Sequence, residues 1–125
     1  LHSRVQFMRG RKERLQIHRE QERVRARAAF LRVSATIAVS TGVPIEEIMA
    51  PSPRGKPRQH LRDRAFARQA AYYLTVTTFD IAAAHLAQAL HRPRARVSEH
   101  CRLAEEARDV ALVDTLYSRF EEMLR

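Results

Sequence analysis

The chain is predicted to be all-α, a compact helical domain with a helix-turn-helix and a long basic N-terminal helix. Three observations predict it. Gly occurs only three times in 125 residues and Trp not at all, while Ala, Arg, Leu and Glu, all good helix formers, dominate. Hydrophobic residues make up 45% and charged residues 30%. This excludes a disordered composition and gives one domain with a modest core. Apolar residues recur three and four apart, the period of one helical face. Residues 1–41 are expected to form a basic extension and long helix, and residues 42–125 the helix-turn-helix domain.

The first helix is expected to begin near Gly10, after a loose start, because Arg11 to Ser40 holds no Gly or Pro. Its apolar residues are sparse early and dense late, so about Ala28 to Val39 should dock on the core. The early part is polar nearly all round, as a free-standing extension would be. It reads equally as a basic arm on phosphates, as a helix for a partner, or as a solvated helix with pairs such as Glu20 with Arg23. Gly42 suits a C-terminal stop and Pro44 a new first turn. A short helix to Met49 follows, with Glu46 and Glu47 near its positive end.

Ala50 to Pro57 holds three prolines and a glycine and reads as a loop. It is basic, which fits phosphate or minor-groove contact, or simply a rigid connector. Arg58 to Thr75 then forms a helix whose apolar stripe is Leu61, Ala65, Phe66, Tyr72, Tyr73 and Val76. Arg58, Arg62 and Gln69 project close together down its axis. Tyr72 and Tyr73 should pack in the core, whereas single-strand binding would need them exposed for base stacking.

The next stretch, Thr78 to Arg102, organises the chain. Ile81, Leu86 and Leu90 lie on one face of a helix, with Thr77 or Thr78 as its cap before Asp80. His91-Arg92-Pro93 breaks the pattern, and Pro93 suits the first position of a second helix running to about Arg108. Val97, Cys101 or His100, and Ala104 should face inward. Arg94 and Arg96 then occupy its first turn, where a helix-turn-helix meets base edges. Asp109 is a candidate cap for a final helix from Val110 to Leu124, with Val113, Leu116, Tyr117, Phe120 and Leu124 facing the core.

Net charge is +9, which favours a polyanionic partner. Residues 1–32 carry ten Arg/Lys against three Glu, and residues 54–96 carry nine against two Asp. Residues 97–125 carry four Arg against seven acids. Two basic blocks and an acidic tail predict one side turned to the polyanion. No Gly-x-x-x-x-Gly-Lys loop offers a seat for nucleotide hydrolysis. Cys101 and His100 are neighbours on one helix and diverge, unlike a nucleophile and its base. The six His lack ligand spacing. The expectation is a non-enzyme with no cofactor and no metal. One cysteine allows no internal disulfide. No secretory-type segment is evident, and no apolar run approaches the roughly 20 residues that cross a bilayer. A cytoplasmic, nucleoid-associated protein with no membrane partner is expected.

From about Val43 to Leu124 the order of features resembles the C-terminal DNA-binding domain of the bacterial replication initiator DnaA. The matching features are Gly-Val-Pro-x-Glu-Glu-Ile, a basic loop, Arg62-x-Arg64, Ala67-Arg68-Gln69-Ala70-Ala71-Tyr72-Tyr73-Leu74, the helix-turn-helix and a final helix. The resemblance implies double-stranded DNA as the partner. It implies minor-groove or loop contacts from Arg54, Lys56, Arg58, Arg62 and Arg64, with Arg62 the best match. It implies phosphate contacts from Arg68 and Gln69, with His100 and Arg102 further along, and base contacts from Arg92, Arg94, Ala95 and Arg96.

The family's Asp-His-Thr-Thr reading core is replaced here by arginines. Arg favours guanine O6 and N7, so a different sequence preference is expected. The initiator's ATPase module has no counterpart in this chain. A transcription regulator is therefore expected, similar to activators of phage-like or gene-transfer-agent genes that work beside a sigma-like factor or RNA polymerase. The alternatives are a replication-related DNA-binding factor and a basic helical interaction module. A homo-oligomer is a further expected partner state.

Overall fold

The computed structural model describes residues 2–51 and 62–125. They form six helices: α1 (His2–Thr41), α2 (Ile45–Met49), α3 (Arg62–Thr78), α4 (Ala83–Leu90), α5 (Arg94–Ala107) and α6 (Ala111–Leu124). No strand occurs among the described residues, and the all-α class holds.

α1 is one unbroken helix of 40 residues, about 60 Å long at 1.5 Å per residue. Gly10 lies inside it rather than at its start. Arg11 to Gln21 are all exposed, and burial begins only at Ala26. Ala26, Ala29, Phe30, Val33, Ser34 and Ile37 make the docked face. The expected docking segment is therefore corrected at both edges: contact starts earlier, and Val39 is 87% exposed. At 100° per residue, Val39 and Leu31 fall on the side away from Phe30, Val33 and Ile37. Gly42 ends the helix at φ 77°, a left-handed conformation that favours glycine. Its N–H donates to the Ala38 carbonyl at 2.9 Å.

α3 is the central helix, packed by α1, α2, α5 and α6. Small residues Ala67, Ala70 and Ala71 are fully buried along it, which lets its neighbours approach closely. Tyr72 and Tyr73 are buried as expected, Tyr72 tilted against Phe30 with ring centroids 5.2 Å apart. The helix runs to Thr78, past the expected end at Thr75. Thr77 therefore does not cap α4: its hydroxyl donates back to the Tyr73 carbonyl at 2.9 Å. The stop is Asp80 at φ 51°, with the Ile81 N–H bonded to the Val76 carbonyl. Asp tolerates this left-handed geometry better than most residues.

α4 starts at Ala83 with no side-chain cap. It ends in the same way as α3, with His91 at φ 55° and the Arg92 N–H reaching the Ala87 carbonyl at 2.9 Å. α5 follows after Pro93, which sits at the N-cap, one place before its expected position. α6 likewise begins one residue late, with Val110 rather than Asp109 at its N-cap. Tyr117, Phe120 and Leu124 bury as expected, whereas Leu116 is 36% exposed.

α1 and α3 run antiparallel. Arg25 on α1 donates to the Phe79 carbonyl at the end of α3 at 2.7 Å, and Glu22 meets His85 on α4 at 3.7 Å. At the other end, α2 receives Arg64 and Arg68 from the start of α3. Arg92, in the turn between α4 and α5, reaches the Met49 carbonyl of α2 at 3.3 Å. The domain thus has two distinct ends. One gathers α2 and the first turns of α3 and α5; the other releases the projecting part of α1.

Candidate nucleic-acid interface

Pro93 carries extended backbone angles, φ −61° and ψ 136°, and its carbonyl accepts the Arg96 and Val97 N–H groups. Val97 and Ala104 are buried and fix the rotation of α5. That rotation leaves Arg94 and Ala95 exposed and Arg96 half-buried at the start of the helix. Arg62 and Arg64 are exposed on the first turn of α3. Arg64 pairs with Glu47 at 2.5 Å. Arg64 reaches α2 at Glu47, and Arg92, just before α5, reaches α2 at Met49, so the openings of α3 and α5 both border α2. Arg54, Lys56 and Arg58 lie outside the described residues.

The other expected contacts are placed differently. Arg68 is 8% exposed, and its guanidinium donates twice to the Glu47 carbonyl, at 2.7 and 3.2 Å. Burial lowers its pKa, opposed by Tyr72 and Glu47. It ties α2 to α3. Gln69 is half-buried beside it. His100 is also buried, its ring stacked on Tyr72 at 4.7 Å and 4° between planes. Burial, together with Arg96 and Arg68, pushes its pKa down to about 4. His100 is thus a neutral packing group between α5 and α3.

Arg92 is half-buried and donates to the Leu90 carbonyl at 2.9 Å as well as to Met49. It closes the turn and braces it against α2. Arg102 is exposed, but a fork of carboxylates already matches its charge: Glu99 at 2.6 Å and Glu106 at 2.5 Å. Cys101 is half-buried, and burial followed by Glu105 pushes its thiol up to about 11, so it stays protonated at neutral pH.

Among the described residues, the exposed basic positions of α1 and those that open α3 and α5 lie toward opposite ends of the domain. The seventeen residues of α3 separate Arg62 from the end where α1 departs by about 25 Å. Sequence reading also missed the Arg108 network. Arg108 bridges Asp114 at 2.6 Å, Glu121 at 3.0 Å and the Tyr73 hydroxyl at 3.3 Å, and so fastens α5 to α6 and α3. Its only sequence signal was its place among the four Arg and seven acids of residues 97–125.

Among the described residues, no group of three or more His, Cys, Asp or Glu is arranged to hold a metal ion. No helix among them is long and apolar enough to cross a membrane. Compared with protein-family models, curated proteins and solved structures, the chain matches none.

Proposed function

We propose that this chain is a sequence-specific double-stranded DNA-binding protein acting as a transcription regulator, with α4 and α5 as its helix-turn-helix. One observation carries the reading: Arg94, Ala95 and Arg96 open α5 directly after Arg92, which is tied to α2, and Arg62 and Arg64 open α3, which is tied to α2 as well. A first turn with two guanidinium groups suits a major groove, where Arg forms bidentate bonds to guanine. Arg62 and Arg64 suit the flanking backbone or minor groove. Arg68, Arg92 and His100 then serve as the frame that sets the angle of α5. In this role the chain is non-catalytic.

Equilibrium binding to duplex and single-stranded oligonucleotides over a salt series tests this. Duplex should be preferred, and the logarithm of affinity should fall linearly with that of salt concentration. Preference for single strands, or no duplex binding at low salt, contradicts it.

A further inference from the structure

α5 turns outward a strip that its first-turn arginines do not fill. Val97, His100 and Ala104 are its buried residues. At about 100° per residue, the direction opposite them falls among Ala95, Ser98, Glu99 and Arg102. All of these are exposed. Arg94 and Arg96 are two residues apart and project about 200° apart, one to each side of the strip. Ala95 has no polar side-chain atom and Ser98 is short. Glu99 and Arg102 are therefore the long polar side chains at its centre.

The Glu99 carboxylate is gripped at two points. Its Oε1 accepts from Arg102 Nη2 at 2.6 Å, and its Oε2 accepts from Arg102 Nε at 3.1 Å. The remaining Arg102 Nη1 donates to Glu106 at 2.5 Å. A bidentate pair of this kind fixes the plane of the carboxylate. It also holds Glu99 below the usual carboxylate range, so the group is ionised and can only accept hydrogen bonds. Arg102 offsets the charge of Glu99, but one guanidinium between two carboxylates leaves this patch negative. It does not suit phosphates. An acceptor-only group suits a base edge that donates. In the major groove guanine offers acceptors at O6 and N7, and thymine one at O4. Adenine sets its N7 acceptor beside its N6 donor, whereas cytosine presents the N4 donor alone. We infer that Glu99 is a specificity-determining residue that accepts from cytosine N4. This rests on the reading of α5 as a DNA-recognition helix, and it adds to the flanking arginines a contact of opposite preference.

The test uses the full chain and the duplex it selects from a random pool. Each position of that duplex is replaced by all four base pairs, and binding is titrated at equilibrium. Wild type should prefer cytosine at one position by about tenfold. Glu99→Gln should move the preference at that position to adenine, whose N6 and N7 match an amide. Glu99→Ala should accept every base there. Glu106→Gln removes the same charge and also frees Arg102, but lies about 10 Å further along α5. It should keep the cytosine. All variants should melt as wild type does, since both positions are exposed. Wild-type base preference in both Glu99 variants would overturn the assignment while leaving DNA recognition by α5 intact. An equal change in Glu106→Gln would overturn it too, because charge alone would then explain the effect. If wild type selects no sequence, the DNA reading itself fails and Glu99 has no base to meet.

Discussion

Acid should weaken the seating of α5 through a single side chain. His100 is 8% exposed and stacked on Tyr72 of α3, with Arg96 and Arg68 adding positive charge nearby and Glu99 opposing them weakly. In the fold its pKa lies at about 4 instead of the ordinary 6.5. Above about pH 6.5 neither the folded nor the unfolded chain holds this proton, and the stacking contribution is intact. Between the two values the unfolded chain takes up a proton that the folded chain refuses. Stability is lost progressively as pH falls, and the loss levels off below about 4. One pKa unit corresponds to about 1.4 kcal/mol, so the full loss is about 3 kcal/mol. His100→Phe keeps an aromatic ring on Tyr72 and removes the titration. Denaturant melts of both proteins at about pH 7.5 and about pH 4.5 isolate the effect, because carboxylates titrate alike in both. Wild type should lose about 2–3 kcal/mol more than the variant. Equal losses, or a larger loss in the variant, would refute the buried neutral histidine.

Two further predictions concern the frame. Arg68→Ala should lower stability by about 1.5–3 kcal/mol, the range for a hydrogen bond from a charged group, and should leave the salt slope of DNA binding unchanged; unchanged stability with a shallower slope would return Arg68 to the phosphates. Phe30→Ala should cost about 3–5 kcal/mol by emptying space beside Tyr72, whereas Val39→Ala should change stability by less than about 0.5 kcal/mol; denaturant midpoints measure both.

Most helices were legible because their apolar residues keep one period, as in Tyr117, Phe120 and Leu124 of α6. The ends of α3 and α4 were harder to read. Their stops use Asp80 and His91 in left-handed geometry, where glycine is the usual signal, so a cap at Thr77 or Thr78 looked plausible. Of the candidate interface, Arg94, Ala95 and Arg96 were readable, since Pro93 marks where α5 begins. Arg68, Arg92 and His100 were not. Charge and basicity predict exposure, and only tertiary contacts reveal that carbonyls of Glu47, Met49 and Leu90 need donors and that Tyr72 needs a stacking partner. Charge counts likewise carry no direction until α1 and α3 are seen to run antiparallel, which sets Arg25 beside Phe79 and Arg64 beside Glu47 at the other end.

Selection of bound fragments from random duplexes, run in parallel on wild type and on Arg94→Ala, Arg96→Ala, bears most directly on how α5 is used. Wild type should enrich a defined motif containing guanines, and the double variant should lose that enrichment, at about 1–3 kcal/mol for each bidentate contact, while keeping salt-dependent binding to any duplex. Enrichment of the same motif by both proteins would mean that the first turn of α5 does not read DNA.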